Sequence, residues 1–135
     1  MNRDFIYEAF DDEERSYIFH HADEDLEGGD WHKKDGKYAF DIDGVFALSV
    51  GEARKYFRNN ADRRAEATPY AEQRGSGVSR RFRADGRKTG TWWLRSSGRH
   101  DYDASVVEPD GDINKYGFFV HYPNVYVRPA VWLRL

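Results

Sequence analysis

The chain has 135 residues and a formal net charge of -3, with 39% hydrophobic, 16% aromatic and 33% charged residues. That length suits a single domain over residues 1–135. No apolar run approaches the roughly 18 residues of a membrane span, and no apolar leader follows Met1, so we predict neither a membrane segment nor a signal peptide. Cysteine is absent, which excludes disulfides, thiolate zinc sites and cysteine nucleophiles.

The N-terminal third predicts a helix followed by a polar segment. Apolar side chains recur at helical spacing within residues 4–19, and Asp11 with Glu14 has the spacing of a capping box. Residues 20–37 are polar and contain several glycines, which favours a long loop or an edge hairpin.

The middle of the chain predicts a buried strand and further helices. The apolar run 45–48 is typical of a buried strand, and Ser49 with Glu52 repeats the capping-box spacing. We therefore expect a helix over 50–58, ended by the two asparagines at 59–60. Thr68 followed by Pro69 predicts another helix start, with Gly75 as its end, and residues 74–90 predict a loop.

From Thr91 onward the pattern favours strands, because apolar and polar residues alternate with a period of two. Trp92, Leu94 and Ser96 would share one face, and Trp93 and Arg95 the other. Turns are expected at residues 109–112 and 123–124, separating strands over 104–108, 113–116, 117–122 and 125–133. Helices come early and strands late, which predicts an α+β fold. In it, N-terminal helices pack on a small, twisted antiparallel sheet formed mainly by the C-terminal third.

Charge is distributed unevenly along the chain. Residues 1–53 carry 5 Lys and Arg against 15 Asp and Glu, whereas residues 54–88 carry 11 against 4. Oppositely charged segments of a small domain usually lie against each other. The weaker alternative is that the basic segment 74–88 binds nucleic acid or another polyanion. The residues that would do so are Arg80, Arg81, Arg83, Arg87 and Lys88.

Three motifs in the last third carry a resemblance to a known family. Residues 92–96 (WWLRS), 110–111 (DG) and 127–133 (VRPAVWL) resemble the C-terminal signature of a bacterial and phage domain family of unknown function, roughly WWLRSPG, a DG turn and GVRPALWL. Segments 45–57 and 68–71 look like upstream blocks of the same family. The family's opening aromatic strand has no counterpart, which favours a C-terminal module of a larger ancestor or a truncated paralogue.

The resemblance implies a C-type-lectin-like fold, similar to the variable proteins of diversity-generating retroelements. In such proteins ligand-facing positions lie in the window that corresponds to residues 99–126 here. That window is rich in Tyr, Asn, Asp, His and Phe, side chains typical of adaptable recognition surfaces. The predicted ligand-binding residues are His100, Tyr102, Asp103, Asn114, Tyr116, Phe119, His121, Tyr122, Asn124 and Tyr126.

The tryptophans and arginines that bracket this window are predicted to be structural. Arginine beside tryptophan on adjacent strands favours stacking and pairing with carbonyl or carboxylate groups. These structural residues are Trp92, Trp93, Arg95, Arg128 and Trp132. The alternative for the window itself is that its aromatic residues only fill the core of a small sheet.

Other chemistries have weaker support. Residues 108–110 (EPD) resemble the calcium-and-sugar tripeptide of C-type lectins, but a β-turn explains them better, and His20, His21 and His32 lack metal-ligand spacing. Ser79 and Ser96 have no histidine partner that the sequence can place. We therefore predict no enzyme activity, no metal and no cofactor.

The sequence thus predicts a non-enzymatic domain that binds an unknown protein or glycan. The alternative is a structural or oligomerisation module of a phage or surface assembly, with a homo-oligomer as its simplest form. The expected location is the cytoplasm or a phage particle.

Overall fold

The structure is a computed structural model that describes residues 8–19, 45–73 and 88–133. Within those ranges the helices are α1 (Asp12–Ser16), α2 (Val50–Tyr56), α3 (Asn60–Arg63) and α4 (Pro69–Gln73). The strands are β1 (Ile18–Phe19), β2 (Val45–Phe46), β3 (Ala65–Glu66), β4 (Thr89–Gly90), β5 (Trp92–Ser97), β6 (Asp103–Val107), β7 (Ile113–Phe119) and β8 (Ala130–Leu133). Short helices with antiparallel strands confirm the α+β class.

The strands form three small sheets rather than one. β6 lies between β5 and β7, β8 lies between β1 and β2, and β3 pairs with β4; all of these pairings are antiparallel. The prediction of a single sheet from the C-terminal third is therefore wrong in one respect. The last strand leaves its neighbours in sequence and pairs with two strands from the first third of the chain.

The capping box that begins α1 is confirmed, but the predicted extent of the helix is wrong. Asp11 Oδ1 accepts a hydrogen bond from the Glu14 amide at 2.8 Å, and Glu14 Oε2 accepts one from the Asp11 amide at 3.0 Å. The helix ends at Ser16, and Ile18 instead lies opposite Leu133 in the β1–β8 ladder. Pairing with a distant strand has overridden the local apolar spacing.

The second capping box, at Ser49 and Glu52, is also confirmed, and α2 ends two residues earlier than predicted. Phe57 ends it in an extended conformation, with φ -111° and ψ 126°. Asn59 does not end this helix. Its side chain accepts a hydrogen bond from the Asp62 amide at 3.0 Å and begins α3. The predicted role of Asn59 as a helix end is therefore wrong, because asparagine suits either end of a helix and here it caps the start.

The helix start at Thr68 and Pro69 is confirmed. Thr68 Oγ1 accepts a hydrogen bond from the Ala71 amide at 3.2 Å, and Pro69 is the first residue of α4. The expected helix end at Gly75 and the expected loop over 20–37 lie outside the described residues, as does the basic segment 74–88 apart from Lys88.

Three strand predictions need correction. Thr89–Gly90, predicted as loop, is strand β4. The two strands predicted over 113–116 and 117–122 are one strand, β7, which continues through Gly117 and ends at Phe119. The predicted strand over 125–133 is regular only as β8, and Tyr126 instead forms an isolated parallel bridge to Trp92.

The main core lies between α2 and the β5–β6–β7 sheet. Ala53, Trp92, Leu94 and Val107 are buried there, with partly buried Phe57, Ile113 and Tyr126 among the residues packed against them. Trp92, Leu94 and Ser96, which were predicted to share one face, are all buried. Arg95, predicted to lie on the other face, is also buried and pairs with Glu52 of α2, and the register of β5 with β6 is irregular between Trp93 and Ser97.

Gly117 shapes the end of β7. Its φ is +67°, and a Cβ at this position would lie 1.7 Å from the Ala104 carbonyl oxygen. We expect Gly117→Ala to lower the free energy of unfolding by about 2–3 kcal/mol, because the left-handed backbone costs about 1–2 kcal/mol and β6 must also shift. Urea denaturation monitored by tryptophan fluorescence measures the change.

Gly51→Ala is the matched control for this substitution. Gly51 lies exposed in α2, and the nearest atom to an added Cβ would be Ser49 Oγ at 3.8 Å. We expect it to stabilise the fold by about 0.5–1 kcal/mol. Equal stabilities for the two variants would contradict the described path of β7.

Candidate binding face

Most of the predicted recognition residues lie on the β5–β6–β7 sheet or in the turns at one end of it. The fully buried Ser105, in the middle strand, has its hydroxyl oxygen 3.1 Å from the Ser97 carbonyl oxygen and 2.9 Å from the Lys115 carbonyl oxygen, which share its single proton. One side chain thereby links all three strands. The sheet gives the loops at its end a fixed frame.

The turn between β5 and β6 directs two aromatic side chains outward. The Gly98 amide donates to the Asp103 carbonyl at 2.8 Å, and the Asp103 amide donates to the His100 carbonyl at 3.0 Å. Between these bonds His100 and Tyr102 are exposed. The buried Asp103 carboxylate lies 2.7 Å from His100 Nδ1, which orients the imidazole ring.

The end of β7 carries the aromatic side chains that lie next to those of the β5–β6 turn. The Val120 amide donates to the Tyr102 carbonyl at 3.0 Å, and the Tyr122 amide donates to the Phe119 carbonyl at 2.8 Å. The first bond joins the end of β7 to the β5–β6 turn, and the second tightens the turn that follows β7. Phe119 and Tyr122 are thereby held on the same end of the sheet as Tyr102.

Six rings on this end of the sheet form a row of four in contact and a separate stacked pair. His100 stacks on Tyr102 with ring centroids 5.1 Å apart, and Tyr102 meets Phe119 edge-on at 5.6 Å. Phe119 meets His121 edge-on at 5.1 Å, and Phe118 stacks on Tyr122 at 5.5 Å. Tyr102, Phe119 and Tyr122 are 54%, 48% and 47% exposed. We call this group the aromatic face; its members are His100, Tyr102, Phe118, Phe119, His121 and Tyr122.

The aromatic face contains five of the ten residues predicted to bind ligand. A sixth, Tyr116, is 60% exposed and has Lys115 Nζ 5.3 Å from its ring centroid. The ring contacts of the described residues do not join Tyr116 to the face. Asn124 is half-buried in the turn beyond it.

Three predicted residues support the frame. Asp103 is buried and pairs with His100. Asn114 Oδ1 accepts hydrogen bonds from the amides of Tyr116 and Gly117, both at 3.1 Å, and so holds the left-handed turn of the strand. Tyr126 packs against the main core and against Gly90.

Phe118 belongs to the aromatic face although the sequence did not single it out. Strict alternation puts neighbouring residues of a strand on opposite sides, so Phe118 and Phe119 were not expected to contribute together. The structure keeps this alternation, since Phe119 is exposed and lies opposite Asp103, whereas Phe118 is half-buried and lies opposite Ala104. Phe118 contributes through its stacking on Tyr122, a contact across the turn that one sequence does not indicate.

Arg128, Trp92 and Trp132, which were predicted to be structural, contact aromatic rings and backbone carbonyls. Arg128 lies over the rings of Trp92 and Phe57, with its Cζ atom 4.9 and 5.0 Å from their centroids, and its Nη1 donates to the Arg63 carbonyl at 3.2 Å. Trp92 Nε1 donates to the same carbonyl at 3.1 Å. Trp132 stacks on Phe46 with centroids 6.2 Å apart.

Arg95 forms a buried ion pair with Glu52. Its Nη2 lies 2.9 Å from Glu52 Oε1, its Nη1 contacts Glu52 Oε2, and Nη1 also donates to the Ala47 carbonyl at 2.9 Å. The side chains are 1% and 4% exposed. Trp93, the residue that follows Trp92 in β5, is half-buried.

The acidic turn at residues 108–112 uses its polar groups internally. The Gly111 amide donates to the Glu108 carbonyl at 2.8 Å, and Asp110 Oδ1 accepts from the Asp112 amide at 2.9 Å. Glu108 Oε1 accepts from Asn114 Nδ2 at 3.0 Å. In the described ranges no three His, Asp or Glu side chains come together as metal ligands. His20, His21 and His32 lie outside those ranges.

The fold and the face together define a small α+β domain whose described residues form three antiparallel sheets and an exposed aromatic end. The chain belongs to the family described as "Domain of unknown function (DUF6273)", whose model matches residues 1–135. No curated protein and no solved structure matches the chain. In the part of the chain that the structure describes, none of the helices has the length and apolar character needed to cross a membrane.

Proposed function

We propose that this domain is a non-enzymatic recognition module that presents the aromatic face to a protein or glycan partner. The observation that carries the proposal is the row of exposed rings from His100 through Tyr102 and Phe119 to His121, in contact at 5.1–5.6 Å. Contiguous exposed apolar surface is uncommon on monomeric proteins and often marks an interaction site.

The composition of the face supports binding by contact area. Tyrosine and histidine offer a flat apolar ring together with a polar atom, and their few rotatable bonds lose little conformational entropy on binding. The backbone bonds between Val120 and Tyr102 and between Tyr122 and Phe119 hold these side chains in place before a partner arrives. Such preorganisation lowers the cost of association.

We also propose that the fold is C-type-lectin-like and related to the variable proteins of diversity-generating retroelements. The motifs over 92–96, 110–111 and 127–133 support this, as does the position of the aromatic face inside the window 99–126. The neighbouring DNA tests it. A reverse-transcriptase gene beside a near-copy of codons 99–126 that differs at adenines would show that this window is diversified.

Replacing Tyr102, Phe119 and Tyr122 together by alanine is expected to abolish partner binding and leave the fold intact. All three side chains are about half exposed, and exposed substitutions usually change stability by no more than about 0.5 kcal/mol each. A glycan array and a display selection against protein libraries identify a partner for the wild-type domain. Binding of that partner and the melting temperature of each variant are then measured.

Tyr70→Ala is the control for this experiment. Tyr70 is 66% exposed but lies on α4, outside the aromatic face, so its loss should leave binding unchanged. A strongly lowered melting temperature in the triple variant would mean that the rings form core. Unchanged binding in a folded triple variant would remove the proposal.

A defined oligomer in light scattering would favour an assembly module instead. The assembly module would be supported if the triple substitution also dissociated the oligomer and the wild-type domain bound nothing in either screen.

A further inference from the structure

A cleft of about 310 Å³ lies between the β3–α4 segment and residues 126–129. Members of the aromatic face do not line it, so it is separate from the proposed recognition surface. Its volume is at the lower end of the range of clefts that hold small organic ligands. The residues that bear on its chemistry are Arg64, Glu66, Ala67, Tyr126, Val127 and Arg128.

Arg128 brings a partly buried positive charge to this cleft. Its guanidinium is half-buried, stacks between the rings of Trp92 and Phe57, and makes one hydrogen bond to the Arg63 carbonyl. Within residues 8–19, 45–73 and 88–133 no carboxylate forms an ion pair with it. Burial lowers the pKa of Arg128, yet a guanidinium stays protonated at neutral pH. The cleft therefore contains a partly desolvated positive charge, which an anion would stabilise.

We propose that this cleft binds a small organic monocarboxylate, with the carboxylate on Arg128 and the apolar part against Tyr126. A planar guanidinium held by stacking presents a fork of N–H donors that matches a carboxylate. Tyr126 supplies a ring wall, and Ala67 and Val127 supply small apolar contacts. Trp92 lies behind this wall and is fully buried.

The balance of charge in the cleft favours a monoanion over phosphate. Arg64 adds a second cation, whose Nε already donates to the Asp110 carbonyl at 3.3 Å. Glu66, also on the lining, adds an opposing carboxylate, so the lining carries one net positive charge. A dianion would meet repulsion from Glu66 without a matching third cation.

Titration of the ¹⁵N-labelled domain with benzoate tests the proposal. Benzoate combines a carboxylate with a flat apolar ring, and benzamide has the same shape without the charge. We expect the Ala67 and Val127 amide signals to shift saturably with benzoate. Benzamide should bind with a dissociation constant at least tenfold higher, and inorganic phosphate should also bind more weakly than benzoate. Absence of saturable shifts with benzoate, or equal binding of benzamide, overturns the proposal.

Charge substitutions at Val127 locate the site without disturbing the core. Val127 is 58% exposed and lines the cleft, so Val127→Asp should weaken benzoate binding about threefold or more, and Val127→Lys should tighten it. Ser97→Asp, at the far end of β5 from Trp92, adds the same charge as Val127→Asp and should leave binding unchanged. Equal effects of the two aspartates would show only general attraction and overturn the site.

Arg128→Gln should weaken benzoate binding by tenfold or more. If that variant does not fold, the comparison of Val127→Asp, Val127→Lys and Ser97→Asp decides the question. Unchanged binding in a folded Arg128→Gln domain would also overturn the proposal.

Discussion

Replacing Glu52 by glutamine is expected to lower the free energy of unfolding by about 3–5 kcal/mol. Glutamine can still accept the hydrogen bond that caps α2, because glutamine also occurs at this position of capping boxes. What the substitution removes is the charge that neutralises Arg95, whose side chain is 1% exposed. A buried guanidinium without a counterion is costly, so the effect should far exceed the loss of a helix cap. Thermal and urea unfolding measure it.

Glu14→Gln is the matched control. Glu14 occupies the same position of the same motif at the start of α1, but it is exposed and Asp11 is its capping partner. We expect a change of at most about 0.5 kcal/mol, as for other exposed charges. Similar losses at Glu14 and Glu52 would indicate that the cap, and not the buried pair, determines stability.

The double variant Glu52→Gln with Arg95→Met adds a second check. Removing both charges leaves no unpaired ion in the core, so the double variant should be less destabilised than the sum of the two single variants. Additive losses would contradict a direct interaction between the two side chains.

Trp92→Ala is expected to cost about 3–5 kcal/mol, the range for large aromatic residues removed from a core. Trp92 is fully buried, meets Phe57 edge-on at 6.4 Å, and donates its indole N–H to the Arg63 carbonyl. Its loss also removes one of the two rings on which Arg128 stacks. The substitution should therefore weaken both the core and the wall of the cleft. Urea denaturation gives the stability change.

Trp93→Ala provides the comparison within the same strand. Trp93 is half-buried, so its removal should cost less than half as much as that of Trp92. A larger loss at Trp93 than at Trp92 would mean that the described orientation of β5 is reversed.

Several local features could be predicted from the sequence because neighbouring residues determine them. Two capping boxes, at Asp11 and Ser49, form where their spacing indicated. The glycine at 111 adopts the positive φ that its turn requires, at +86°. Stacking of an arginine on a tryptophan was predicted from residue types, although the sequence did not indicate that the pair is Arg128 and Trp92 or that Phe57 supplies a second ring.

The sequence indicated the segment that contains the aromatic face, but not which of its side chains are exposed and which are packed. Exposed Tyr102 and Phe119 were expected in the window 99–126, and the structure places them in contact. Asn114 and Tyr126 are residue types that are common on recognition surfaces. Here Asn114 instead bonds the Gly117 amide in β7, and Tyr126 packs against the main core. Whether a polar or aromatic side chain faces solvent depends on what packs above it, and one sequence does not contain that information.

By itself the sequence determined the α+β class, the starts of α1, α2 and α4 and the turn at residues 109–112, since each depends on side chains within a few residues of one another. Tertiary structure alone decided that Ile18 joins a strand, that β8 pairs with β1 and β2, and that Arg95 and Glu52 meet in the core. These outcomes depend on pairings between residues 43 or more positions apart. The free energy of such pairings comes from burial and hydrogen bonds across the fold, and it exceeds the fraction of a kcal/mol by which local propensity distinguishes a helix from a strand.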